Sequence, residues 1–383
     1  MQQASDRASV VHPADPDRGS RPVRAVVVDD SGLMRRLIKA ALEAETGIEA
    51  VGLAEDVSSA RRMIRALNPD VVTLDVEMPG MNGLEFLEKI MELRPMPVVM
   101  VSSHTAEGTD ASLAALQMGA VDVVEKPRGV DPNGPFGRTL REKVRLAARA
   151  RVRARRPSRA PSAAMGAAAI PTRSFAQPAP AVARAAGRAP SLLAIGASTG
   201  GVAALTELLA GLPAQMPPIV ITQHMPAGYT ARFAGRLHER LGFDVAEARD
   251  GEPLRRGAVR IAPGDRHLQV QAGPNGFATR LGDATPVSGH CPSVDVLFGS
   301  VANAAGAGAA GVILTGMGRD GAAGLRAMRA AGARCLGQSE RSCVVYGMPR
   351  AARQLGAVHE ELDLDRIPQR LRELVGAAGR AAP

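Results

Sequence analysis

Near-continuous apolar runs alternate along this chain with segments whose apolar residues recur every three or four positions. Runs at 24–30, 49–54, 70–76, 97–103 and 121–125 read as strands. Between and after them, segments 31–45, 58–67, 83–93, 110–118 and 138–150 carry helical spacing, as with Met34, Leu37, Ile38 and Ala41 in the first. Strands that are apolar on both faces belong in a parallel sheet covered by helices on either side. The first part of the chain therefore reads as five βα units around a five-stranded parallel sheet.

The second part opens the same way, with strand 191–197, helix 201–212, strand 218–224 and helix 227–241. A less regular stretch follows, with a β-hairpin expected around 259–271 and Pro263-Gly264-Asp265 as its turn signal. Helix 293–305, strand 310–316 and helix 321–331 complete a second, doubly wound α/β domain with a β-hairpin insertion. Residues 151–190 break both patterns, being Ala, Pro, Arg and Ser without periodicity, a composition that cannot bury enough apolar surface to order itself. The expected organisation is a disordered N-terminal extension at 1–22, one α/β domain at 23–148, a linker at 149–190 and a second α/β domain at 191–383.

Charge changes little once its distribution is seen. The 47 basic and 38 acidic residues give +9, which invites a nucleic-acid reading. Ten arginines and no Asp, Glu or Lys lie between Arg145 and Pro190, and without that segment the balance is 37 basic to 38 acidic. The basicity belongs to the linker and not to a folded face, and an aromatic content of 2% argues against base-stacking platforms. Neither a secretory leader nor a run of about 20 apolar residues is present, so a cytoplasmic protein without membrane insertion is expected. Cys291, Cys335 and Cys343 form no C-x-x-C pair and read as reduced thiols.

Two groups of residues carry chemistry. In a parallel sheet all strands end on one edge, where ligands of open α/β sheets bind. Asp29 and Asp30 end the first strand, Asp75 lies near the end of the third, Ser102 ends the fourth and Lys126 follows the fifth. Carboxylates gathered at such an edge repel one another unless a cation sits among them. Oxygen ligands of this kind suit Mg²⁺, and the Lys and hydroxyl suit the oxygens of a transferred phosphoryl group.

In the second domain, Gly196-Ala197-Ser198-Thr199-Gly200-Gly201 is a glycine-flanked turn between a strand and a helix. Such a turn serves either a dinucleotide phosphate or an exposed nucleophilic Ser. The dinucleotide reading wants an acidic residue about 20 residues on, where the next strand instead ends in Gln223-His224. A nucleophilic Ser198 wants a base, which His224 supplies from the matching strand end, and an orienting acid, which Asp320 supplies from the loop Gly316-Met317-Gly318-Arg319-Asp320-Gly321. His267 and His290 compete as bases, and Cys291 competes as a thiol nucleophile.

The acidic set, with Leu74-Asp75-Val76-Glu77-Met78-Pro79-Gly80 and Lys126-Pro127, resembles a response-regulator receiver domain of flavodoxin-like fold. That resemblance implies Asp75 as phosphoacceptor, with Asp29, Asp30, Asp75 and the backbone carbonyl of Glu77 holding Mg²⁺. It also implies Ser102 and Lys126 as phosphate-sensing residues. The Ser198 turn, Thr222-Gln223-His224-Met225-Pro226, Pro292-Ser293-Val294-Asp295 and Leu314-Thr315-Gly316-Met317-Gly318-Arg319-Asp320 resemble motifs of the chemotaxis protein-glutamate methylesterase family. The resemblance implies Ser198 as nucleophile, His224 as base and Asp320 as orienter, with no cofactor for the esterase reaction. It further implies hydrolysis of glutamate γ-methyl esters on chemoreceptor helices, deamidation of receptor glutamines, a histidine kinase as phosphodonor and a monomeric enzyme. The competing outputs for a receiver of this kind are nucleotide-binding or DNA-binding domains.

Overall fold

The computed structural model describes residues 21–78, 82–103, 105–127, 131–152, 189–274 and 276–376. The expected N-terminal extension and most of the expected linker lie outside these residues, as do Pro79 and Gly80 of the motif after Asp75.

The first domain runs β1 (Val23–Val28), α1 (Gly32–Glu43), β2 (Ile48–Ala54), α2 (Val57–Leu67), β3 (Val71–Asp75), α3 (Gly83–Leu93), β4 (Val98–Ser102), α4 (Ala106–Met118), β5 (Asp122–Glu125) and α5 (Pro135–Ala147). Its sheet is fully parallel in the order β2-β1-β3-β4-β5. The order reverses between β1 and β3, which places the ends carrying Asp29, Asp30 and Asp75 side by side at a topological switch point. Both faces of the sheet are covered, so every residue of β3 and β4 is buried.

Two helices begin earlier than their periodicity indicates. The α4 helix starts a turn before Asp110, because Thr105 caps it by accepting from the Gly108 N–H. Gly108 and Thr109 in its first turn mask the helical signal. The α5 helix opens on Pro135, whose missing N–H costs nothing at a helix start.

The second domain runs β6 (Leu192–Ala197), α6 (Gly201–Ala210), β7 (Ile219–Gln223), α7 (Tyr229–Arg240), β8 (Asp244–Glu247), β9 (Pro253–Leu254), β10 (Ala258–Ile261), β11 (Leu268–Gly273), β12 (Gly276–Leu281), α8 (Val294–Ala305), β13 (Ala309–Ile313), α9 (Ala322–Ala330), β14 (Arg334–Gln338), α10 (Met348–Gln354), β15 (Glu360–Leu362) and α11 (Ile367–Gly376). Seven parallel strands form its main sheet in the order β15-β14-β13-β6-β7-β10-β8. The hairpin is displaced from its expected place. Residues 258–261 join the main sheet as a parallel strand, and the antiparallel pair is β11 with β12. Arg260 explains the difference: Val259-Arg260-Ile261 alternates like a half-exposed strand, yet Arg260 is buried and bonded to Asp244 and Glu252. Among the described residues no helix is long and apolar enough to cross a membrane.

The domains share a packed boundary. Leu113 of α4 is fully buried within the apolar cluster built on α6, α7 and β6 of the second domain. Burial of a Leu side chain contributes about 1.5–3 kcal/mol, so this residue joins the two cores and does more than touch a surface.

Candidate active site and phosphoacceptor site

The second sheet also reverses direction at its site. Strands β13, β6 and β7 are neighbours, and their C-terminal ends lead to Asp320, Ser198 and His224. Ser198 is half-buried in the turn before α6, its N–H donating to the Thr315 carbonyl at 3.0 Å. Gly200, at φ +76°, makes the reversal into the helix.

His224 Nε2 lies 2.8 Å from Asp320 Oδ2. An ionised carboxylate can only accept, so Nε2 carries a proton, and in the neutral ring Nδ1 keeps the lone pair. That Nδ1 is buried and has no hydrogen-bond partner. Asp320 is itself held by the start of α8. Ser293 Oγ donates to its Oδ1 at 2.8 Å, the Val294 N–H to Oδ2 at 2.7 Å and the Asp295 N–H to Oδ1 at 3.1 Å. Burial alone would raise this carboxyl, but the bonds from His224, the Val294 N–H and Ser293 outweigh it and hold it at about 2. Ser293, where the sequence places a helix start, caps α8. Its bond to an acid 27 residues later was not legible in the sequence.

The competing residues find other places. His267 is buried, with Nε2 2.8 Å from the Thr285 carbonyl and Nδ1 accepting from the Ser293 N–H at 3.1 Å, so both nitrogens are engaged in holding loops. His290 stacks on His224 with ring centroids 3.9 Å apart and planes 11° from parallel. Burial, and then the neighbouring His224, lower the His290 pKa. Burial pushes the Cys291 thiol up, and pushes Cys335 and Cys343 to about 12, which removes thiolate chemistry from ordinary pH. The dinucleotide reading fares no better. Gln223 ends β7 with its amide donating to the Ser198 carbonyl at 2.9 Å and the His224 carbonyl at 3.2 Å.

In the first domain, single carboxylate oxygens of Asp29, Asp30 and Asp75 all lie within 4.8 Å of one another. Lys126 Nζ donates to Asp75 Oδ2 at 2.8 Å and stands 3.4 Å from Asp29 Oδ2. Burial pushes the Asp75 carboxyl up to about 6, with the Asp29 charge adding to it and Lys126 opposing. Asp29 Oδ2 is buried and accepts no hydrogen bond. An all-oxygen set with an unsatisfied buried oxygen fits a hard divalent cation. The Glu77 N–H donates to Asp75 Oδ1 at 3.2 Å. Ser102 is buried, and its hydroxyl turns toward α4, donating to the Gly108 carbonyl at 3.0 Å.

The domain boundary adds residues that sequence patterns did not single out. Thr199, the residue after Ser198, donates through Oγ1 to Asp122 Oδ2 of the first domain at 2.9 Å, and Lys143 holds the other oxygen of Asp122 at 2.7 Å. Arg232 and Arg236 of α7 both pair with Asp110 of α4. No local sequence signal marks such partners, which lie 77 to 126 residues apart.

Both domains of the chain are similar to known proteins. The family model described as CheB methylesterase matches residues 193–371, and the response regulator receiver domain model matches 25–132. Proteins named protein-glutamate methylesterase/protein-glutamine glutaminase are similar over nearly the whole chain. The one from Rhizobium etli is 52% identical over 94% of this chain and 98% of its own. That from Agrobacterium fabrum is 54% identical over 94% and 98%, and that from Salmonella choleraesuis 45% over 93% and 97%. Among solved structures, the Thermotoga maritima CheB methylesterase catalytic domain is 36% identical, covering 49% of this chain and 100% of its own with a TM-score of 0.48. The receiver domain of the same organism's CheB is 41% identical, covering 34% and 98% with a TM-score of 0.31. The methylesterase match replaces the DNA-binding output that a receiver domain also admits. With two family models in this order and relatives at about half identity from end to end, the chain belongs to the protein-glutamate methylesterase/protein-glutamine glutaminase family.

Proposed function

We propose that the protein hydrolyses glutamate γ-methyl esters on the helices of chemoreceptors, and deamidates receptor glutamines, under control of phosphorylation at Asp75. The observation that carries the catalytic part is the His224–Asp320 pair beside Ser198 at the switch point of the second sheet. Asp320, kept ionised by the start of α8, fixes the tautomer of His224 and leaves Nδ1 to take the proton of Ser198. The Ser198 oxygen attacks the ester carbonyl, and His224 returns the proton to the departing methanol, or to ammonia when a glutamine is the substrate. Water then repeats the sequence on the acyl-serine and releases glutamate. The positive end of α6, which begins three residues after Ser198, would stabilise charge developing on the carbonyl oxygen.

Asp75 accepts the phosphoryl group, and a histidine kinase is the donor class. Asp29, Asp30 and Asp75 would hold Mg²⁺, with the backbone carbonyl of Glu77 as a further ligand, and the ion when bound would neutralise charge on the transferred group. Lys126 already touches Asp75 and is placed to pair with its phosphate. Ser102 links this event to α4: a hydroxyl that turns to the phosphate releases the Gly108 carbonyl in the first turn of that helix. Since α4 also carries Leu113 and Asp110, its movement loosens the boundary over Ser198.

The deciding experiment is methanol release from methylated receptor cytoplasmic fragments, with and without Mg²⁺ and a small phosphodonor. Release is expected to rise with the phosphodonor, to lose that response in Asp75→Asn, and to fall at least about a thousandfold in Ser198→Ala. Turnover retained in Ser198→Ala sinks the catalytic assignment. An unaltered phosphodonor response in Asp75→Asn sinks the regulatory one.

A further inference from the structure

A cavity of about 720 Å³ lies between the two domains, and Ser198 and His224 form part of its wall. The opposite wall belongs to β5 and α5, including Val124, Phe136 and Thr139. Covering the catalytic edge with the first domain has therefore not filled the space above the nucleophile. Asp131, Thr139 and Glu142 line the same cavity and are exposed, so it opens to solvent on the α5 side.

We propose that this cavity admits small esters to Ser198 while the domains remain together, so that the unphosphorylated protein hydrolyses single-residue glutamyl γ-methyl esters that need no receptor helix. The inference rests on the esterase reading above and adds a second substrate class to it. Size separates the two classes. The cavity is walled by both domains, whereas a receptor substrate is a helix about 10–12 Å wide with its side chains. In this reading a receptor helix reaches Ser198 only after the first domain moves. A single blocked residue does have room, since pockets that hold small molecules span about 300–1,000 Å³.

Charge narrows the class further. Asp122, Glu125, Asp131 and Glu142 line the cavity against Lys126 and Lys143, and these two lysines are paired with Asp75 and Asp122. The balance disfavours an anionic guest, so the substrates are uncharged esters with both backbone ends blocked. The reaction is simple hydrolysis: water adds across the acyl–oxygen bond, giving the carboxylic acid and methanol, and no other reactant is consumed.

The test compares N-acetyl-glutamate-amide γ-methyl ester with methylated receptor fragment, using the full chain with and without Mg²⁺ and a phosphodonor. The small ester is expected to turn over in a Ser198-dependent way at rates equal within about twofold under both conditions, while receptor turnover rises. In Thr139→Trp, which fills the α5 wall from an exposed position, kcat/KM for the small ester is expected to drop at least about fivefold without phosphodonor and to recover with it. That recovery also shows the variant to be folded. A small-ester rate that climbs with phosphodonor in the same proportion as receptor turnover overturns the inference. So does an unchanged rate in Thr139→Trp, or receptor turnover with no small-ester turnover at all. Absence of Ser198-dependent release from either substrate overturns the esterase reading itself.

Discussion

Asp75 and Asp320 are both buried aspartates at the ends of parallel strands, yet their carboxyls stand at about 6 and about 2. Burial raises both, and the donors around each decide the outcome. Asp320 accepts from one hydroxyl, two backbone N–H groups and an imidazole, whereas Asp75 has one lysine and one N–H against a neighbouring Asp29. The sign of the stability effect follows. A carboxyl lowered on folding contributes stability that is fully present above its unfolded value near 3.8 and is lost as pH falls toward 2. The difference corresponds to about 2 kcal/mol. Asp320→Asn is expected to flatten the fall in unfolding free energy between about pH 4 and pH 2. Denaturant unfolding at stepped pH checks this, and an equally steep fall in the variant removes the argument. Turnover in Asp320→Asn is expected to drop at all pH values, because an amide fixes the wrong His224 tautomer. At this scale Ser198, His224 and Asp320 were legible as strand-end residues. The donors that hold Asp320 were not, because Ser293–Asp295 reach it only when α8 packs across the sheet.

The strand–turn–helix element around Ser198 depends on how closely α6 meets β7. A Cβ on Gly201 would stand 2.0 Å from Gln223 Oε1 and 2.8 Å from Ala197 Cβ. Gln223 cannot retreat without giving up its bonds to the Ser198 and His224 carbonyls. Gly201→Ala is therefore expected to cost about 1–3 kcal/mol, and to lower kcat for receptor and small esters alike. Thermal unfolding and turnover of both substrates check it, and a variant with unchanged stability and turnover would contradict the close packing. Elements of strong periodicity, such as 83–93, were readable from the chain to the residue. The early start of α4, the place of β10 and the displaced hairpin were not. The first was masked by Gly108 and Thr109 behind the Thr105 cap, and the others turned on Arg260, whose partners Asp244 and Glu252 lie outside its strand.

For the whole molecule, the first domain holds the second through buried Leu113, the partly buried Leu116 and Val344, and a set of polar contacts. Asp110 is shared by Arg232 and Arg236, and Thr199 reaches Asp122. Partly exposed ion pairs contribute about 0–1 kcal/mol each, so they tune the boundary and do not lock it. Asp110→Ala is expected to raise receptor turnover of the unphosphorylated protein by up to about fivefold, leaving the phosphorylated rate unchanged. Methanol release without phosphodonor measures it, and a lowered rate would mean that Asp110 supports catalysis and not restraint. Small-ester turnover in the same variant stays constant if the cavity already gives that substrate access.

The sequence by itself determined two α/β units, the acidic edge, the nucleophile turn and a near-even charge balance outside residues 145–190. Those features rest on hydrophobic period and on residues within a few positions of one another. Only the tertiary structure decided which histidine meets the acid, why that acid stays ionised, and that Ser102 faces α4. It alone also showed a cavity left open between the domains. These depend on groups brought together across tens of residues, where packing chooses the partner and local pattern carries no record of it.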